Sequence, residues 1–341
     1  MDLFHVLVLA LLQGLTELFP VSSLGHTVII PGLLGWRETL TSPTFLPLVV
    51  TLHLGTAIAL LTFFWRDWIA LLRGGARVLV AGRFTPDVDP QGYGRQLALV
   101  LVGSIPAGLI GLLLQNPLER LFSEPVLAAG FLVVNGVVLL GTEHILEGRR
   151  AAAPALAGQS AGGHGVSLGA TAAAARGDTR DQGRDQRHAT GFAEAGMGAT
   201  AGGAVGKSLA DMSFTQAAVI GLAQSFALLP GISRSGATMV TGLVSGLSHE
   251  AAARFSFLLA TPIIAAAGLL EVPRLLHAGG QTLAYAALGG VVAGFAAYLS
   301  VRFLMRYFQT NRLNPFAWYC IVAGCLAFVY FAAQSFGVLP H

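Results

Sequence analysis

Charge is scarce in this sequence. Of 341 residues, 20 are Lys or Arg and 17 are Asp or Glu. Charged side chains are thus 11% of the chain, where soluble domains carry about 25%. A chain so dry cannot cover a globule with solvated charge, which excludes a soluble enzyme and a disordered protein. Cysteine is scarce too. Cys320 and Cys325 lie five apart in one apolar segment, on different helix faces, so there is no disulfide framework and no metal spacing. The apolar N-terminus lacks a basic lead-in and a small-residue cleavage site, and reads as a retained membrane segment, not a signal peptide.

What is present is apolar: 54% of residues, with a mean hydropathy of +0.68. The class this implies is an all-α polytopic membrane protein. The pI of about 9.1 does not point to nucleic acid. Nearly all the basic residues are Arg, set in short clusters between apolar runs, as in the positive-inside rule.

A spanning helix needs about 20 mostly apolar residues. Six segments qualify cleanly: 45–65, 95–115, 125–146, 253–270, 282–303 and 315–336. Two further apolar stretches, 1–34 and 213–247, are interrupted by polar residues. Each reads as a helix, a polar turn and a second helix, a form that survives at membrane depth only when buried in protein or lining a wet cavity. Residues 148–210 hold 11 of the 37 charges, are rich in Ala and Gly, and have no apolar periodicity. They read as a flexible linker. The expected organisation is a first membrane repeat at 1–147, the linker at 148–210 and a second membrane repeat at 211–341.

Placing the Arg clusters at 66–83, 149–150 and 302–312 on the inside makes the two halves inverted copies. At an offset of 211, Gln13, Ser22, Gly25 and Thr27 recur as Gln224, Ser233, Gly236 and Thr238. These identities fall in the two polar interruptions, where inverted-repeat membrane proteins place their sites. The expected fold is therefore inverted repeats with two re-entrant helical hairpins plus six spanning helices.

The first interruption runs from Gln13 through Glu17 and Pro20 to Ser22, Ser23, Gly25 and His26. Gln13 and Glu17 share a helix face, Pro20 ends that helix, and Ser22 or Ser23 caps the next. A carboxylate, a hydroxyl and an imidazole within ten residues supply the parts of a nucleophile and acid/base site. The bland alternative is that the serines only cap and His26 only binds a carbonyl. All three together inside an apolar stretch favour function, because each is costly in lipid. The second interruption is Pro230-Gly-Ile-Ser-Arg-Ser-Gly-Ala-Thr238. It combines a turn, a helix start suited to phosphate and Arg234, whose planar fork matches phosphate oxygens. Ser233, Ser235 and Thr238 add hydroxyls, and Gly236 adds a backbone donor. The bland alternative here is a kinked helix whose Arg234 pairs structurally with Glu17. His53, inside an apolar span, reads as a core histidine bonded to a neighbouring helix.

These two motifs resemble the signatures of the undecaprenyl-diphosphate phosphatase family, the bacitracin-resistance type. Gln13-Gly-Leu-Thr-Glu-Leu-Phe-Pro-Val-Ser-Ser-Leu-Gly-His26 is similar to the first, and Pro230–Thr238 to the second. Phe64-Trp-Arg-Asp67 and Gly103-Ser-Ile-Pro106 add to the likeness. The resemblance implies hydrolysis of undecaprenyl diphosphate to undecaprenyl phosphate, recycling the lipid carrier of cell-wall synthesis and conferring bacitracin resistance. It implies a multi-pass protein of the bacterial inner membrane, its site facing outward, among membrane lipids, often as a homodimer. It also implies a divalent cation, Mg²⁺ or Ca²⁺, which Glu17 and Gln13 would hold. Matched position by position, the catalytic set falls on Glu17, Ser23, His26 and Arg234. Phosphate binding falls to Ser22, Ser233, Ser235, Gly236 and Thr238. Four departures stand out: Gln13 where many members have Glu, Leu24 after the serine pair where Thr is common, His53 where Gln is usual, and an unusually long linker.

The expected mechanism has Ser23 attacking the terminal phosphorus, with His26 as base and then acid; the reverse, with His26 attacking, stays open. The rival class is a lipid flippase or transporter, since broken helices and inverted repeats are transporter features. Transport does not need the Ser-His pair. A structural scaffold has no use for Glu17 and Arg234 at membrane depth.

Overall fold

The computed structural model describes residues 2–40, 42–121, 124–161, 206–277 and 279–336. Among them the regular structure is helical, with one isolated β-bridge between Lys207 and Leu247. In chain order the helices are α1 (Leu3–Thr16), α2 (Ser23–Leu33), the single turn α3 (Arg37–Leu40), α4 (Phe45–Phe63), α5 (Trp65–Ala81), α6 (Tyr93–Leu121) and α7 (Pro125–Ala161). In the second half follow α8 (Phe214–Gln224), α9 (Arg234–Val244), α10 (His249–His277), α11 (Gly280–Tyr307) and α12 (Asn314–Ser335). A 3₁₀ turn, Ser225–Leu228, continues α8.

Five helices are long and apolar enough to cross a membrane: Tyr93–Leu114, Pro125–Ala151, His249–Pro273, Gly280–Tyr307 and Asn314–Ser335. A sixth crossing exists if the bent pair Pro47–Phe63 and Trp65–Ala81 is counted as one. The chain is a multi-pass membrane protein. The expected span at 45–65 stops two residues early, and the helix axis turns by 79° as Arg66 and Asp67 arrive. Phe64 is buried at the bend, Asp67 pairs with Arg254 of α10, and the Arg254 guanidinium lies over the Phe64 ring. The polar start of α5 is thereby tied to α10 instead of being carried on through the apolar layer.

The two interrupted stretches form α1–turn–α2 and α8–turn–α9. α1, α2 and the apolar run Phe214–Leu228 are each too short to span. α2 and α9 are both 11 residues long, and Ser22 and Ser233 are their N-caps. Each cap oxygen accepts from a glycine N–H three positions on, Gly25 at 3.2 Å and Gly236 at 3.1 Å. This is the ordinary use of serine before a helix.

The chain separates into two compact units, Met1–Leu146 with Gly206–His341, and Glu147–Val205. In the first unit α11 packs on α1 and α4, α4 packs on α10, and α6 packs on α8. The approach of α1 to α11 is close enough that a Cβ on Gly14 would sit 2.2 Å from the Ala293 carbonyl oxygen, as small residues allow between membrane helices. α7 runs on to Ala161, past position 148 where the linker is expected to start. Its alanines favour that continuation. Residues 162–205 of the expected linker lie outside the described residues, and its last positions are ordered, with Lys207 bridged to Leu247 and a 3₁₀ turn at Leu209–Asp211.

Candidate active site

The site is built around one carboxylate. Glu17, the C-cap of α1, is 6% exposed. Its Oε2 accepts from Gln13 Nε2 at 2.8 Å and from Ser23 Oγ at 2.5 Å, and lies 3.2 Å from His53 Nε2. Its Oε1 accepts from Arg234 Nη2 at 3.0 Å. Ser23 is the first residue of α2 and Arg234 the first of α9. Two helix N-termini therefore open beside the same buried carboxylate. The positive ends of both helices favour an anion at this point, and the same arrangement suits a phosphate.

The two turns are held together backbone to backbone. A Cβ on Gly25 would lie 2.9 Å from the Gly231 Cα. Gly231 has φ +104°, and a Cβ there would sit 2.3 Å from the Ala128 carbonyl oxygen. Ser22 is the one non-glycine residue at positive φ among the described residues, at +67°, a conformation that costs about 1–3 kcal/mol. Asn135 of α7 fastens both turns. Its Nδ2 donates to the Pro20 carbonyl at 2.9 Å and its Oδ1 accepts from Ser233 N–H at 3.0 Å.

A cavity of about 450 Å³ opens on this cluster. Glu17, Ser22, Ser23, His53, Ser233 and Arg234 line it, together with apolar side chains of α6 and α10 such as Leu112 and Leu270. A charged group can enter at Arg234 while an alkyl chain lies on the apolar wall.

The family model for the bacitracin resistance protein BacA matches residues 6–173 and 189–326. The chain belongs to the BacA family. It is similar to undecaprenyl-diphosphatase 2 of Frankia alni, 44% identical over 95% of this chain and 96% of the relative. It is also similar to the undecaprenyl-diphosphatases of Acidiphilium cryptum, 44% identical over 94% and 95%, and of Granulibacter bethesdensis, 44% identical over 97% and 98%.

In this BacA family member the expected site residues divide into two groups. Glu17, Ser22, Ser23, Ser233 and Arg234 line the cavity. His26, Gln13, Ser235, Gly236 and Thr238 do not. His26 Nδ1 donates to the Ser22 carbonyl at 2.6 Å, which leaves Nε2 to accept from Tyr319 Oη at 2.8 Å, and the two rings stack within 9° of parallel. Ser23 is therefore paired with Glu17, not with His26. Ser235 Oγ donates to the Phe19 carbonyl at 2.9 Å. Thr238 Oγ1 lies within hydrogen-bond reach of the Arg234 and Ser235 carbonyls and of Ser256 Oγ. Those hydroxyls join the two turns and their neighbours.

Of the two residues expected to hold a cation, Glu17 has both oxygens engaged by donor groups, while Gln13 is fully buried and its Oε1 has no partner in the protein. Among the described residues no three His, Cys, Asp or Glu side chains gather at one point; an ion that shares the diphosphate oxygens needs only one or two carboxylates.

His53 is the residue that the sequence reading underrates. It lines the cavity, and its Nδ1 donates to the Val49 carbonyl at 2.8 Å. Its other nitrogen faces the Glu17 carboxylate. Its two ring nitrogens thus face two oxygens, the Val49 carbonyl and the Glu17 carboxylate.

Proposed function

We propose that the chain hydrolyses undecaprenyl diphosphate to undecaprenyl phosphate and inorganic phosphate, recycling the carrier for cell-wall synthesis and so supporting bacitracin resistance. The observation that carries this reading is the Ser23–Glu17–Arg234 chain of contacts in a cavity whose remaining wall is largely apolar side chains of α6 and α10. The nearly full-length similarity to enzymes named undecaprenyl-diphosphatase agrees with it.

The diphosphate enters beside Arg234, and the prenyl chain lies along α6 and α10. Ser23 Oγ attacks the terminal phosphorus as its proton passes to Glu17 Oε2. The Oγ–P bond forms, the bridging P–O bond breaks, and undecaprenyl phosphate leaves as an anion. Arg234 and the α9 N-terminus stabilise the charge that develops. In the second step a water attacks the phosphoserine. The Ser23–P bond breaks, Ser23 Oγ recovers its proton from Glu17, and the water's proton leaves with the phosphate. His26 acts by holding the Ser22 carbonyl and with it the strained turn that aims Ser23.

The two broken stretches are re-entrant hairpins of inverted repeats, 1–147 and 211–341. The equal lengths and matching caps of α2 and α9 support this. The protein sits in the bacterial inner membrane with the cavity facing outward, as the resemblance to the family implies, and it works as a homodimer. Phosphate release by the pure protein in detergent tests the activity, because no compartments exist there. A flippase releases none under those conditions.

A further inference from the structure

Gln224 ends α8 and is 3% exposed. It lines the same cavity as Glu17, Ser23 and Arg234. Neither its Nε2 nor its Oε1 has a hydrogen-bond partner in the protein. A buried amide without partners costs about 1–3 kcal/mol for each group left unpaired, and such a group in a native fold calls for a reason.

The internal repeat explains how this amide came free. At the offset of 211, Gln224 corresponds to Gln13. Gln13 donates to Glu17, one helical turn on, at 2.8 Å. The position corresponding to Glu17 is Leu228. The second repeat keeps the glutamine and lacks the carboxylate that would engage it. The same cavity is lined by Arg234, whose Nη1 is also buried without a partner. Two unpartnered donors border one cavity, and an oxyanion satisfies both.

We infer that Gln224 contacts the substrate directly: its Nε2 donates to a non-bridging oxygen of the diphosphate, alongside Arg234 Nη1. Its Oε1 accepts from the proton that a hydrated or singly protonated phosphate brings. This assignment rests on the reading of the cavity as a diphosphate site. It adds a neutral contact from the second repeat that neither signature motif contains. The consequence is a trade between stability and binding, since the amide is unfavourable in the empty protein and useful in the loaded one.

The test uses the full chain in detergent, with inorganic pyrophosphate as the probe and thermal unfolding as the readout. Gln224→Met keeps the volume and removes both polar atoms. Its melting temperature is expected at or above that of the wild type, with pyrophosphate affinity down about tenfold, the equivalent of one hydrogen bond. Gln224→Glu keeps the shape, sets an anion against the phosphate, and is expected to lose more. An affinity loss under about threefold in Gln224→Met overturns the assignment. So does a melting temperature more than about 5 °C below wild type, which means that the amide bonds to the protein. Failure of Gln224→Met to fold counts the same way. No pyrophosphate binding by the wild type also overturns it. A wild type that binds pyrophosphate yet releases no phosphate from the lipid overturns the proposed activity and leaves the Gln224 contact standing.

Discussion

Glu17 and Arg234 meet across 217 positions of sequence, with Glu17 Oε1 accepting from Arg234 Nη2 at 3.0 Å. Both side chains are largely withdrawn from solvent, 4% and 12% exposed. The pair joins the end of α1 to the start of α9 and lines the cavity on both sides of the junction. A purely structural pair gains nothing from standing in a cavity wall, and its Arg234 Nη1 has no partner.

Arg234→Ala is therefore expected to cut phosphate release by roughly 100-fold to 1,000-fold, the range seen when one donor to developing charge is removed. Arg234→Lys should recover only part of this, because an ammonium cannot hold Glu17 and a phosphate with the geometry of the planar fork. The measurement is phosphate release in detergent at saturating lipid diphosphate. Near wild-type turnover in Arg234→Ala removes Arg234 from the mechanism.

The pairing of Ser23 with Glu17 makes a separate prediction about the covalent intermediate. Ser23→Ala should lose activity by roughly three orders of magnitude or more, as expected for an attacking group. In the wild type, rapid acid quenching should trap a phosphate ester on Ser23, stable in acid and labile in base. A trapped adduct with the opposite lability is a phosphohistidine and moves the attack to His26. In that case the His26 bond to Tyr319 must break before each turnover.

The broken stretches and their caps are legible in the sequence because they rest on local rules. Pro20, the Ser-Ser pair and the Pro230-Gly231 turn act within a few residues. The Glu17–Arg234 contact is legible too, since opposite charges stranded in apolar stretches need each other. Partners chosen by helix packing are not legible. His53 sits in an apolar run on α4, and nothing nearby in sequence says that the helix turns it towards Glu17, 36 positions earlier. Ser23 has both Glu17 and His26 within sequence reach, six and three positions away, and only the fold shows that it bonds to Glu17. Asn135 did leave a signal: it is the only amide in the apolar run 126–141. The bend at Phe64 depends on Arg254, almost 200 residues away, and no local pattern announces it.

His53 gives the third prediction. His53→Ala removes the ring nitrogen that stands 3.2 Å from Glu17 and opens a gap in the cavity wall. The loss should appear both in thermal stability and in turnover. His53→Gln retains a donor of similar reach and should recover most of the stability. If Glu17 must accept the Ser23 proton, exchanging the imidazole for a weaker amide donor makes it a stronger base. His53→Gln is then expected to shift the pH–rate profile of phosphate release upward, while His53→Ala fails at all pH values. A profile unchanged in His53→Gln separates His53 from the proton transfer.

Asn135 gives the fourth. It touches neither Glu17 nor the cavity, yet it holds the Pro20 carbonyl and the Ser233 N–H, one from each turn. Asn135→Leu keeps the number of heavy atoms and leaves the Ser233 N–H buried and unpaired, at about 1–3 kcal/mol, with only Cys320 Sγ, at 3.8 Å, left to donate to the Pro20 carbonyl. Asn135→Asp keeps the acceptor for Ser233 N–H and sets an oxygen against the Pro20 carbonyl, so one bond is kept and one becomes repulsive. The expected order of melting temperature is wild type, then Asp, then Leu. Because the two turns carry Ser23 and Arg234, turnover should fall in the same order and by a larger factor than KM rises, the mark of lost alignment. If Asn135→Leu lowers stability while kcat stays within about twofold of wild type, Asn135 serves folding alone and the alignment of the turns is secured by the Gly25–Gly231 contact.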